Sequence, residues 1–202
     1  MARSNSRKLW ASHIAKQADG SSSTVRANQS TDSSVLDAGS PITGTILGID
    51  PSLRGTGLAL IKITRGQAPD YLLSQTIKVP KKRSMQDCLY EIATAIHAIT
   101  DQFRVDSAAI EETIYVQNFQ TAQILGAARG AALTALALRH IDTHHYAPLR
   151  IKQSVVGYGR ASKEQVIKSV QSQLNLSEPL PSDEADACGA ALCHGYTYRE
   201  AQ

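Results

Sequence analysis

Short apolar runs and one long stretch of helical periodicity organise the chain from Gly44 onward. Thr45 to Ile49 is an unbroken apolar run with the length of a buried strand, Leu58 to Ile63 a second, and Tyr71 to Val79 a third, with Gly and Pro breaks between them. Connections this short predict an antiparallel meander. From Ser84 to Phe103, Leu89, Ile92, Ala93, Ile96 and Ile99 recur at helical spacing, which predicts an amphipathic helix over the sheet. Ser107 to Ile110 then reads as a strand, Asn118 to Leu138 as an Ala-rich helix and Ile141 to Tyr146 as a fifth strand. Further helices are expected over Lys163 to Leu174 and Asp183 to Tyr196.

Strands first, then strands alternating with helices, describe an α/β fold: a five-stranded mixed sheet with helices on both faces. That order matches the ribonuclease H-like architecture. Ala18 to Ser40, in contrast, is dominated by Ser, Thr, Asp, Gln, Asn and Gly, with too few large apolar residues to offset the entropy of ordering it. The chain therefore divides into a disordered polar extension, 1–43, and one folded domain, 44–202.

Composition changes this picture little. The 202 residues are 42% hydrophobic and 19% charged, ample for one core, and the formal charge of +3 permits a polyanionic partner without requiring one. Cys88, Cys188 and Cys193 form no disulfide framework, so a reducing compartment is expected and the cysteines read as small core residues. With His194 beside Cys193 but no second paired cluster, a zinc site is set aside. The longest apolar stretch, Ala131 to Leu138, is far short of a membrane helix, which predicts a soluble protein without a membrane partner. Arg3, Arg7 and Lys8 give the leader a basic character without a clear cleavage signal, so a cytoplasmic protein is expected, organelle targeting being the lesser alternative.

Three acidic elements carry the candidate chemistry. Asp50 ends the first strand and opens a Gly-containing turn through Gly55 and Gly57, where a carboxylate can ligate a metal or simply initiate an Asp-Pro turn. Glu111 and Glu112 close the fourth strand, and because strand side chains alternate, only one can share a face with Asp50; periodicity leaves open which. Asp183 and Asp186 stand three apart after Pro181 on a helix that Ser182 is expected to cap. They share a face with Ala190 and Cys193, which aims them at the edge of the core. Carboxylates crowded there repel unless a cation neutralises them. A strand-end Asp, a strand-end Glu and two Asp on a late helix are the hard oxygen donors of a two-metal phosphodiesterase, which holds Mg²⁺ or Mn²⁺ ions about 4 Å apart.

Gly48-Ile-Asp50-Pro-Ser, Ala109-Ile-Glu111, Leu125-Gly-Ala-Ala-Arg-Gly130, Lys152-Gln-Ser-Val-Val-Gly-Tyr-Gly159, Lys163 and Asp183-Glu-Ala-Asp186-Ala, in that order over 44–196, resemble the RuvC-type Holliday-junction resolvases. The resemblance implies a homodimeric crossover junction endodeoxyribonuclease that nicks two opposed strands of a four-way DNA junction, leaving 5′-phosphate and 3′-hydroxyl ends, and that works with a branch-migration motor. It implies Asp50, Glu111, Asp183 and Asp186 as metal ligands for two Mg²⁺ or Mn²⁺ ions. Lys152 and Lys163 are implied to hold DNA phosphate, an ammonium there stabilising the transition state. Where the family tends to place a junction-stacking aromatic soon after the glutamate, this chain has Ile114, with Tyr115 displaced by one; Tyr115 or Phe119 is expected to stack on an exposed base instead. Arg54 and the cluster Lys81, Lys82 and Arg83 are weaker candidates for phosphate contacts away from cleavage. His144 and His145 read as strand or loop histidines.

The rival readings are a ribonuclease H-like nuclease acting on RNA or on RNA–DNA hybrid, and a non-catalytic junction-binding protein, against which the full set of carboxylates argues. A sugar-kinase or actin-like ATPase needs a second lobe that roughly 160 folded residues cannot supply.

Overall fold

A computed structural model of the chain describes residues 40–112 and 118–200. Strands β1 (Ser40–Pro41), β2 (Gly44–Asp50), β3 (Gly55–Ile63) and β4 (Asp70–Lys78) are followed by helix α1 (Met85–Gln102), β5 (Ser107–Glu111), α2 (Phe119–Ala137) and β6 (Thr143–Tyr146). Then come α3 (Pro148–Val156), α4 (Lys163–Gln173), α5 (Ser182–Thr197) and β7 (Arg199–Glu200). The main sheet has the order β4-β3-β2-β5-β6, with β2, β3 and β4 antiparallel, as their short connections predict, and β2, β5 and β6 parallel, which makes the sheet mixed. A two-residue pairing of β1 with β7 stands apart from it. Ile42, ahead of the expected boundary at Gly44, is already buried. Residues 1–39 of the expected polar extension lie outside the described residues.

Alternation along the strands sorts the core into two layers. Leu47, Ile49, Leu58, Leu60, Ala108 and Ile110 pack beneath α1 and α2. Ile46, Ala59, Ile61 and Ala109 face the opposite way, against α5 with α3 and α4 around it. The helices thus cover both faces. On α1 the buried residues are Cys88, Ile92, Ile96 and Ile99, one face at 3.6-residue spacing, and a reciprocal capping box between Ser84 and Asp87 starts the helix. On α2 burial is confined to the second half, at Ala128, Ala132, Ala135 and Leu136.

Helix α5 lies very close to the sheet. A Cβ on Gly48 would run into the carbonyl of Ala187, and one on Gly57 into the carbonyl of Asp183. These two glycines let a helix backbone settle directly onto β2 and β3, which draws the first turn of α5 to the ends of those strands.

Two local features differ from the sequence expectations. Helix α3 was not anticipated as an element: Pro148 at its first turn, only nine residues, and Gly157 at φ 95° as its C-cap make a short helix whose Ile151 and Val155 supply too brief an apolar stripe to read alone. And Ser182 does not cap α5. Pro181 takes the N-cap position without a side-chain bond, Ser182 enters the first turn, and its hydroxyl is buried without a hydrogen-bond partner.

Candidate active site

Strand parity and register bring the acids together. In β2, Ile46, Gly48 and Asp50 point to the α5 side; in β5, Ser107, Ala109 and Glu111 do the same. Gly48 pairs with Ala109 in the parallel register, so Asp50 and Glu111 each stand two residues beyond one matched pair, side by side at the carboxyl ends of the central strands. Glu112 belongs to the opposite parity; its backbone N–H donates to the Tyr146 carbonyl at 2.8 Å, and its charge lies near His145. The first turn of α5, held against Gly57 and Gly55, adds Asp183 and Asp186 from above the sheet.

The electrostatics record this crowding. Burial, then the charges of Asp186 and Asp183, pushes the Asp50 carboxyl up to about 6, with Lys163 opposing. Burial, then Asp50 and Asp186, pushes Glu111 up to about 7, with Lys163 and Lys152 opposing. Lys163, the first residue of α4 after the Ser162 capping box, reaches Asp186 Oδ2 at 3.0 Å, and that bond raises its pKa. Glu111, Asp186, Lys152 and Lys163 line one open pocket of about 230 Å³ together with Pro148 and Val166. The two lysines thus share a wall with the acids, which the sequence alone could not establish.

The donor set fits a divalent cation in its chemistry, since its members are hard carboxylate oxygens, two of which are held above their usual range by burial and then by mutual repulsion. Their side chains are not drawn to a common point: among the described residues, no three Asp, Glu, His or Cys side chains form a finished cage. Lys163 supplies the positive charge nearest Asp186.

Other expected positions fall differently. The Arg54 guanidinium is turned onto protein carbonyls, donating to Pro80 O at 2.6 Å and to Arg83 O at 2.9 Å. Lys81 and Lys82 are exposed, whereas Arg83 stands 3.6 Å from both Asp87 and Glu91. Phe119 is 75% exposed at the start of α2. Tyr115 lies outside the described residues.

Sequence reasoning missed Glu184. It lies between the two aspartates but turns to the edge strand, accepting from Ser74 Oγ at 2.5 Å and Thr76 Oγ1 at 3.2 Å, and so ties the first turn of α5 to β4. Two hydroxyls at alternate positions of β4 were the available signal. His144 is more than a strand residue: it stacks at 4.4 Å on His194, which is fully buried between Ser107 Oγ (3.0 Å) and the Tyr146 hydroxyl (2.7 Å). Burial, then His144, lowers His194 to about 4, so this histidine is neutral at physiological pH. All three cysteines are buried and free.

A ribonuclease H-like sheet with carboxylates gathered at the ends of its two central parallel strands defines a nuclease of that superfamily, a class whose chemistry depends on metal. Within it, the family model "Crossover junction endodeoxyribonuclease RuvC" matches residues 46–194, and the chain belongs to that family. Proteins of that name from Bordetella avium and Ruminiclostridium cellulolyticum are 42% and 39% identical over 152 and 155 residues, covering 75% and 76% of this chain and 83% and 93% of theirs. A solved structure described as T. thermophilus RuvC in complex with Holliday junction substrate superposes with a TM-score of 0.72 at 28% identity, covering 76% of this chain and 93% of that one.

Proposed function

We propose that this protein resolves four-way DNA junctions during homologous recombination and repair, nicking two opposed strands symmetrically and leaving 5′-phosphate and 3′-hydroxyl ends. The observation that carries the reading is the meeting of Asp50, Glu111, Asp183 and Asp186 from three elements at one sheet end, with Lys152 and Lys163 beside them. The Thermus thermophilus relative bound to a Holliday junction supports the substrate.

Asp50, Glu111, Asp183 and Asp186 would hold two Mg²⁺ or Mn²⁺ ions, which supply activation of the attacking water and stabilisation of the leaving 3′ oxygen. The chain's own residues prepare the site for that task. Burial of Asp50 and Glu111 keeps water from screening their charge, which strengthens their attraction for a cation. Lys163 offsets part of the negative charge at Asp186 and, with Lys152, offers ammonium donors to a phosphate entering the pocket.

Cutting two strands at related positions calls for two sites, and a homodimer built on the first half of α2 supplies them. The exposed series Ala122 and Gly126, with open space where side chains of Gly126 and Gly130 would stand, supports that surface. Phe119 at the exposed helix start, or Tyr115 just before it, stacks on a base at the junction centre. A branch-migration motor is the expected partner, and the bacterial cytoplasm the expected place. No helix among the described residues is long and apolar enough to cross a membrane.

The test is cleavage of an immobile four-way junction beside duplex and RNA–DNA hybrid, with and without Mg²⁺ or Mn²⁺, by the parent protein and by Asp50→Asn and Asp186→Asn. Paired symmetric nicks on the junction alone, lost in both variants while junction binding persists, are expected. Parent-like cutting by Asp186→Asn would sink the site assignment. Metal-dependent cutting of the hybrid in place of the junction would move the function to RNA processing, and binding without any cutting would leave a non-catalytic module.

A further inference from the structure

The β4–α1 connection, 79–84, sits at the active-site end of the sheet. Asp50 pairs with Gly57 and Gly55 pairs with Lys78, so the chain leaves β4 at the same end at which β2 delivers its aspartate. The connection is anchored there by one residue. The Arg54 carbonyl accepts from the Val79 N–H at 3.2 Å, and its guanidinium donates to the carbonyls of Pro80 and Arg83, at either side of Lys81 and Lys82. Arg83 N donates back to Pro80 O at 3.0 Å, closing the turn, and the Ser84 capping box fixes its far end. Arg83 is engaged by Asp87 and Glu91, which leaves Lys81 and Lys82 as exposed cations on a fixed turn.

We infer that Lys81 and Lys82 contact the phosphate backbone of a duplex arm flanking the nicked strand, and that Arg54 is a positioning residue that holds their turn in place. The inference rests on the junction-resolving reading and assigns a second strip of phosphate contacts outside the acidic pocket. The physical case is geometric. A guanidinium presents its donors as a planar fork and can bridge two carbonyls at once, which an ammonium at the same position cannot reproduce. Two of the five N–H groups of Arg54 are given to Pro80 and Arg83, which holds the guanidinium on the turn. Among the described residues the lysine pair has no such commitment, and it stands at the sheet end that carries the acids. Fixing the turn beforehand removes part of the ordering cost of binding.

The experiment measures junction affinity in EDTA between 50 and 200 mM salt for the parent, the double variant Lys81→Ala/Lys82→Ala, Arg54→Lys and Arg54→Ala, with melting temperatures alongside. Each phosphate contact contributes about 0.9 to the slope of log affinity against log salt, so the double variant should flatten it by up to about 2. Arg54→Lys, although it keeps the charge, should weaken binding and flatten the slope as Arg54→Ala does. A double variant with the parent's slope would overturn the phosphate contacts. Parent-like binding by Arg54→Lys beside weakened Arg54→Ala would overturn the positioning role, since charge alone would then suffice. Among the described residues Lys81 and Lys82 enter no hydrogen bond or ion pair through their side chains, so the double variant decides the matter even where an Arg54 variant melts early. Failure of the resolvase reading would show separately, as a parent protein that makes no paired nicks when Mg²⁺ is added.

Discussion

Replacing Asp50 by Asn should stabilise the metal-free protein at neutral pH, although the substitution is expected to abolish cleavage. The folded state holds this carboxyl at about 6 against 3.8 in the open chain, through burial and the neighbouring aspartates. At about 1.4 kcal/mol per tenfold change in proton affinity, carrying the charge there costs about 3 kcal/mol. Side-chain relaxation and water entry reduce the cost, so the expected gain from a neutral amide is about 1 to 3 kcal/mol, or roughly 2 to 12 °C in Tm for a domain of this size. The sign follows from linkage. The folded protein binds the extra proton, so the parent loses stability as pH rises from about 4 to 6; the advantage of Asn is full above that window, about a third as large at pH 4.5, and gone near 3.5. Mg²⁺ at pH 7.5 should then raise the parent's Tm more than the variant's. Thermal melts of both proteins in EDTA at pH 4.5 and 7.5, repeated with Mg²⁺, provide the assay. An Asn variant that melts at or below the parent in EDTA at pH 7.5 would refute the claim that repulsion and burial are concentrated on Asp50.

Gly57→Ala should cost about 3 kcal/mol by urea titration and remove most junction cleavage, because the added methyl meets the Asp183 carbonyl and displaces the helix that carries two of the acids. His194 should make the parent acid-sensitive: its folded pKa of about 4 lies below the 6.5 of a free imidazole side chain, so up to about 3 kcal/mol is lost as pH falls through that window. His194→Phe should melt earlier at pH 7 by orphaning Ser107, and this deficit should narrow on acidification; a constant gap would show that the ring does not titrate in that range. Glu184→Ala should lower stability by about 1 to 2 kcal/mol and be non-additive with Ser74→Ala/Thr76→Val in a double-mutant cycle, since both changes remove the same bonds; additive losses would mean that the β4 hydroxyls do not act through this carboxylate.

Local pattern specified the order of the longer elements, though not α3, β1 or β7, because alternation and 3.6-residue spacing are local properties that survive the folding of everything around them. Thr45 to Ile49, Leu58 to Ile63 and the stripe from Leu89 to Ile99 became β2, β3 and α1 within a few residues. It also determined which residues were available for chemistry, since the acids at Asp50, Glu111, Asp183 and Asp186 stand where strands end and a helix begins. What it left open depended on contacts between distant segments. Parity within β5 separates Glu111 from Glu112, yet which parity faces Asp50 follows from the pairing of Gly48 with Ala109 and from the side on which α5 docks. The family resemblance selected Glu111; the register supplies the reason. Arg54 looked like a free cation in a loop until the turn at Pro80 and Arg83, some thirty residues away, gave its guanidinium two carbonyls. Ser182 looked like a helix cap, and Glu184 drew no reading of its own, for the same reason. A side chain's partner across the fold is set by long-range packing, and no local period encodes it.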